Sequence, residues 1–207
     1  MTADSPTGAP AARPARLWGP LTRFGLVVAV LAAAVDQAVK LWLLLVVDLG
    51  ARGMVTLTPF FDLVLTWNTG ISYGLFRQEG PLGQWALLAL KAIAVILLWI
   101  WLSRAASRLT ALSLALIIGG AIGNAIDRFA YGAVLDFALF QVSTAGLVDP
   151  GWAPDGVWSW IPGYWVLVDG VWFYRWYVFN LADVAIVAGV IGLLYETILA
   201  GGAAKAP

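Results

Sequence analysis

Residues 24–47 read FGLVVAVLAAAVDQAVKLWLLLVV, an apolar run broken only by Asp36-Gln37 and Lys40. An α-helix needs roughly 20 such residues to cross a hydrocarbon core of about 30 Å. A cleaved secretion signal would carry an apolar core of only ~7–15 residues, without an internal ion pair, so a retained helix is expected. Three further runs, at about 84–102, 109–126 and 178–199, approach the same length. The chain is 61% hydrophobic, with a mean hydropathy of +0.86, whereas soluble domains hold roughly 45–50% apolar residues. These runs predict an α-helical integral membrane protein with four transmembrane helices.

Composition removes several kinds of chemistry. Twelve basic residues balance 12 acidic ones, so no nucleic-acid partner is implied. The absence of cysteine and histidine excludes disulfides, thiol nucleophiles, Cys/His zinc sites and any Ser-His-Asp triad. Catalysis in this chain would rest on carboxylates, hydroxyls, Lys, Arg or backbone groups.

Basic residues set the expected orientation. Arg13, Arg16 and Arg23 precede the first run, Arg104 and Arg108 lie between the second and third, and Lys205 follows the fourth. The positive-inside rule places these segments in the cytoplasm. Residues 1–20, rich in Ala, Pro and Arg, then form a disordered cytoplasmic tail. Residues 201–207 form a second tail, and 21–200 a single membrane domain. The connections 48–83 and 127–177 face outward and hold most of the acids.

Those connections carry strand signals. Thr56–Trp67 and Ala133–Val142 are rich in β-formers. Residues 164–168 and 171–176 flank Asp169-Gly170, a pair suited to the positive φ angles of a two-residue hairpin turn. Six of the 12 tryptophans lie in 152–176, and their amphipathic rings favour the headgroup level. A small outer β-platform resting on the membrane surface is expected.

Polar groups in and beside the apolar runs are the candidates for chemistry. Asp36 and Lys40 share one helix face at i, i+4, either as an orienting ion pair or to position a substrate. Gly119 and Gly123 make a small-xxx-small face for close helix approach. Asn124, Asp127 and Arg128 stack on one face of the same helix. Asn180 suits an N-cap, while Asp183 lies one turn deeper. Two carboxylates sharing a poorly hydrated site resist joint ionisation, so one keeps its proton while its partner acts as base. Such a pair hydrolyses a peptide by activating water and protonating the leaving nitrogen. A carboxylate-only Mg²⁺ or Ca²⁺ site competes, although two acids would hold such an ion weakly. Residues 70–74 match the G-x-S-x-G elbow, but only a Ser72–Lys dyad, using Lys40 or Lys91, could work without histidine.

Five blocks now stand in order: Asp36-Gln37-Ala38-Val39-Lys40, Trp67 to Gly74, Gly119 to Arg128, Gly132 to Phe137, and Phe179-Asn180-Leu181-Ala182-Asp183. Together, over about Asp36 to Glu196, they resemble the lipoprotein signal peptidase family, also called signal peptidase II. The resemblance implies an aspartic endopeptidase of the bacterial inner membrane. Its substrates would be prolipoproteins bearing a diacylglyceryl-cysteine, cut at the periplasmic face with no cofactor or metal, among membrane lipids. The outer platform would then be periplasmic. The catalytic pair falls on Asp136 and Asp183. Asn68, Asn124, Arg128 and Asn180 would bind substrate or brace the site, with Asp36, Lys40, Gly70, Gly120 and Asp127 supporting, and Ser72 becomes part of the Asn68 block.

Asp183 follows Asp136 by 47 positions, a longer connection than the family's, and the excess is the Trp-rich stretch. A small four-span transporter or channel, with Asp36, Lys40, Asp127 and Asp183 along an ion path, is the alternative. It predicts acids spread through the depth of the bilayer and often inverted repeats. A non-catalytic membrane scaffold would not require the polar blocks at all.

Overall fold

A computed structural model describes residues 17–70, 81–143 and 163–203. Ser72 and its elbow context, the far ends of both tails, and the start of the Trp-rich stretch lie outside the described residues. In chain order the elements are α1 (Thr22–Leu45), α2 (Leu49–Arg52), β1 (Val55–Thr58), β2 (Phe61–Asn68), α3 (Pro81–Leu102), α4 (Arg108–Tyr131), β3 (Val134–Ser143), β4 (Tyr164–Val168), β5 (Val171–Arg175) and α5 (Leu181–Ala203).

Helices α1, α4 and α5 are long and apolar enough to cross a membrane, whereas the apolar stretch Leu88–Leu102 of α3 is shorter. Half of the apolar window of α4 is buried, against 28% for α1 and 11% for α5, so α4 is the central helix. Its glycines let the neighbours close in. A Cβ at Gly119 would lie 2.6 Å from the Ala29 carbonyl of α1, and one at Gly120 would lie 2.3 Å from the Ala182 carbonyl of α5. The small-residue face is therefore a packing face, with α1 against Gly119 and Gly123, and α5 against Gly120. Leu102, Leu114 and Ile118 fill the core between helices. Val27, Val30 and Leu31 of α1, with Val187, Ile191, Leu194 and Ile198 of α5, stay exposed. So much contiguous apolar surface marks contact with lipid rather than water.

Two expected boundaries shift, each for a local reason. Helix α4 runs to Tyr131 rather than stopping near 126, so Asp127 and Arg128 belong to the helix and not to the outer connection. Charges end an apolar run in sequence, but these two are buried against partners, and the helix continues until Gly132 adopts φ 75°. Helix α5 starts at Leu181 rather than 178, because Phe179 is an extended residue that bridges to Ala138 of β3. Smaller shifts put the end of α1 at Leu45 rather than 47 and the start of α3 at Pro81 rather than 84.

The five strands form an antiparallel sheet in the order β1-β2-β3-β5-β4. The expected hairpin is β4–β5, with Asp169 and Gly170 at φ 48° and 78°, as a two-residue primed turn requires. Thr56–Trp67 divides into β1 and β2 around a turn at Pro59-Phe60. Register brings β2 beside the start of β3, with Thr66 opposite Asp136 and Asn68 opposite Val134. Leu43 of α1, Leu49 of α2 and Leu135, Phe137 and Ala138 of β3 share a second core, which seats the sheet on the helices.

Candidate active site

Asp183 owes its position to the way α5 begins. Asn180 caps the helix: its Oδ1 accepts from the Asp183 N–H at 3.0 Å, and Asp183 Oδ2 accepts from the Asn180 N–H at 3.2 Å. This reciprocal pair is a capping box, with aspartate in the place usually taken by Glu or Gln. Asp183 Oδ1 accepts from Asn124 Nδ2 of α4 at 2.9 Å.

Asp136 arrives from the other side on β3, two residues after Val134, which pairs with Asn68 of β2, and it is only 3% exposed. Its Oδ2 accepts from Asn68 Nδ2 at 3.0 Å and its Oδ1 from Asn180 Nδ2 at 2.6 Å. One side chain, Asn180, thus grips Asp136 with its nitrogen and caps Asp183 with its oxygen. Burial pushes the Asp136 carboxyl up to about 6; the Asn68 and Asn180 amides pull it back down, while the charge of Asp183 adds to the rise. A carboxyl so placed holds a proton at a pH where an ordinary one has lost it.

The remaining polar groups extend outward from this pair. Lys40 Nζ lies 2.8 Å from Asp36 Oδ2, 2.6 Å from Asp127 Oδ2 and 3.3 Å from Asn124 Oδ1. Asn180 Nδ2 also donates to Asn124 Oδ1 at 3.0 Å. Arg128 Nη2 donates to the Gly70 carbonyl at 2.5 Å, and the Gly70 N–H donates to Asn68 Oδ1 at 3.1 Å. Arg128 is 4% exposed, and its Nε and Nη1 have no hydrogen-bond partner among the described residues. The sequence-derived polar candidates Asp36, Lys40, Asn68, Asn124, Asp127, Arg128, Asp136, Asn180 and Asp183, with the backbone of Gly70, therefore form one connected network. Gly120 contributes differently, by letting Ala182 close on α4.

Two residues carry more than sequence reasoning assigned. Gln37 donates to Asp127 Oδ1 at 2.8 Å and to the Gly123 carbonyl at 3.1 Å, so it joins the network beside Asp36. Its signal was its place inside the first block, as an uncharged amide in an apolar helix. Lys91 of α3, weighed only as a base for Ser72, interacts electrostatically with Arg128 and Asp183. A lone lysine within an apolar helix was the available clue. Among the described residues no three Asp, Glu, His or Cys side chains gather as a metal site would need.

The model of the signal peptidase II family matches residues 28–199. The lipoprotein signal peptidase of Nitrobacter hamburgensis is 57% identical over 185 residues, covering 89% of this chain and 98% of the relative. That of Rhodopseudomonas palustris strain TIE-1 is 51% identical over the same shares. A bacterial membrane enzyme structure determined in meso superposes with a TM-score of 0.62 at 19% identity, covering 89% of this chain and 92% of the other. That last likeness is one of fold.

Proposed function

The chain belongs to the signal peptidase II family, peptidases that cleave signal peptides from prolipoproteins, and on that premise we propose that Asp136 and Asp183 are its catalytic pair. The observation that carries this reading is the Asn180 side chain, which bonds the Asp136 carboxylate and caps Asp183. Three asparagines, Asn68, Asn124 and Asn180, place an amide donor on three of the four carboxylate oxygens, and the Asn180 backbone N–H serves the fourth.

In the proposed reaction Asp136 starts protonated and Asp183 acts as the base. Asp183 takes a proton from a water held between the carboxyls, and the oxygen of that water attacks the scissile carbonyl carbon. Asp136 first donates a hydrogen bond to the carbonyl oxygen. As the C–N bond breaks, Asp183 passes the proton it took from water to the leaving nitrogen, which departs as the amine of the new N-terminal cysteine. Water supplies the second oxygen of the released signal peptide's carboxylate, and no covalent enzyme intermediate forms.

Arg128 directs its Nε and Nη1 donors, which have no partner among the described residues, to the substrate backbone, while Asp36, Lys40, Gly70, Gly120 and Asp127 hold the frame. The substrate is a prolipoprotein with a diacylglyceryl-cysteine, whose acyl chains and signal helix stay in lipid while the scissile bond meets the pair at the helix ends. Helix α3 serves as a fourth span. The enzyme sits in the bacterial inner membrane with both termini cytoplasmic, the β-platform and active site periplasmic, and residues 21–200 as one peptidase domain. The basic residues flanking the helices support this orientation.

Asp136→Asn and Asp183→Asn variants, supplied with a lipid-modified prolipoprotein and assayed for signal-peptide release, test the pair. Processing at the wild-type rate by either variant would remove that residue from the reaction.

A further inference from the structure

Each residue of the pair follows directly on a backbone N–H held by an acid of the buried ion cluster. Asp36 Oδ1 accepts from the Ala182 N–H at 2.9 Å, immediately before Asp183. Asp127 Oδ2 accepts from the Leu135 N–H at 3.2 Å, immediately before Asp136. Lys40 joins the two acids, and all three residues are 2% exposed or less. The chain of contacts runs Ala182–Asp36–Lys40–Asp127–Leu135, from the start of α5 to the start of β3.

Stability alone is a poor reason for such a cluster. Desolvating three charges offsets much of their attraction, and apolar replacements of a buried ion group are often neutral or stabilising. What the cluster does supply is a fixed span between two backbone points. The Ala182 N–H is one of the orphan donors of the first helical turn, so an anion there has a defined seat. The seat exists because Gly123 lacks a side chain: a Cβ there would lie 2.7 Å from Asp36 Oδ2.

Gln37 closes this assembly. Its single Nε2 lies 2.8 Å from Asp127 Oδ1, 3.1 Å from the Gly123 carbonyl and 3.3 Å from Asp36 Oδ2. It therefore ties α1 to α4 and touches both acids without adding charge. We infer that Gln37 is a positioning residue for the catalytic pair, setting the separation of Asp136 and Asp183 through Asp127–Leu135 and Asp36–Ala182. It touches neither carboxylate of the pair, so its influence passes through the backbone.

This inference rests on the assignment of Asp136 and Asp183, and the test separates the two. Gln37→Met keeps the length and removes the donor; Gln37→Asn keeps an amide but withdraws its reach. A misplacement approaching 1 Å costs on the order of 10²-fold in rate, so a partial loosening should lower kcat by roughly tenfold, with KM within twofold of wild type. Both variants are purified in detergent, their unfolding midpoints are measured, and prolipoprotein cleavage is followed at several substrate concentrations. A fall in kcat at unchanged KM in whichever variant folds supports the positioning role. Wild-type kcat in a folded variant, or a loss confined to KM or to the yield of folded protein, overturns it. Asp136→Asn and Asp183→Asn run alongside: activity in those refutes the pair itself, whereas their inactivity beside a fully active Gln37→Met refutes only the role of Gln37.

Discussion

The two ends of the α4–α5 pair use the same device to different effect. At the end away from the sheet, Ser107 caps α4 by accepting from the Thr110 N–H, and both hydroxyls donate to the Glu196 carboxylate of α5. At the sheet end, Asn180 caps α5, and the capping carboxylate of Asp183 is shared with Asn124 of α4. Both arrangements clasp the helices by satisfying an N-terminus across the interface. Only the second sets a further buried carboxyl, Asp136, on the same asparagine. The first clasp is braced by hydroxyls, whereas the second leaves two acids braced by amides. A cap becomes a candidate catalyst when a second acid is brought to it.

That contrast can be broken most sharply at the pair itself. Asp136→Asn and Asp183→Asn should each lower turnover by about 10²–10⁴-fold, the scale of general acid–base catalysis, as measured by signal-peptide release. Next in size is Gly120→Ala. Its Cβ would meet the Ala182 carbonyl at 2.3 Å, forcing α5 away beside Asp183. A cost of roughly 1–3 kcal/mol is expected from overpacking, read by unfolding in detergent, with turnover falling as well.

The protonation of Asp136 supplies a third test. Its carboxyl rises from 3.8 to about 6 on folding, so the folded state favours the neutral acid. Its contribution is fully present below about pH 4 and is lost as pH rises through about 6. Relative to Asp136→Asn, the wild type should lose up to about 3 kcal/mol of stability over that window. Equal pH dependence of the two unfolding midpoints would refute the shift. The smallest effect belongs to the other clasp: Glu196→Gln should cost about 1 kcal/mol of stability and leave turnover within twofold. A large loss of turnover there would erase the distinction between the two ends.

Much of this was legible in the chain. The apolar runs mark the helices because lipid demands length and low polarity, and Asp169-Gly170 marks its turn because few residues accept positive φ. The glycines of α4 declared close packing by spacing alone. The end of α4 was less legible, since burial of Asp127 and Arg128 against distant partners overrides the usual meaning of charge at a helix end. Gln37 was harder still. An amide in an apolar helix shows no partner in one dimension, and its three acceptors lie on its own helix and on α4.

The sequence by itself determined which residues must be satisfied internally. Asp36, Lys40, Asp127 and Asp183 are ionisable groups in or beside apolar helices, and such groups have to find partners. Tertiary structure decided which partners those were. The 47 positions separating Asp136 from Asp183 contain strands and a hairpin that no local rule folds back onto α4. The extended bridge of Phe179 to Ala138, the bulged register of β2 and β3, and the side-chain-free face at Gly120 and Gly123 bring the two acids to one asparagine. Local preference acts over a few residues, whereas joining these carboxyls depends on contacts between elements far apart in the chain.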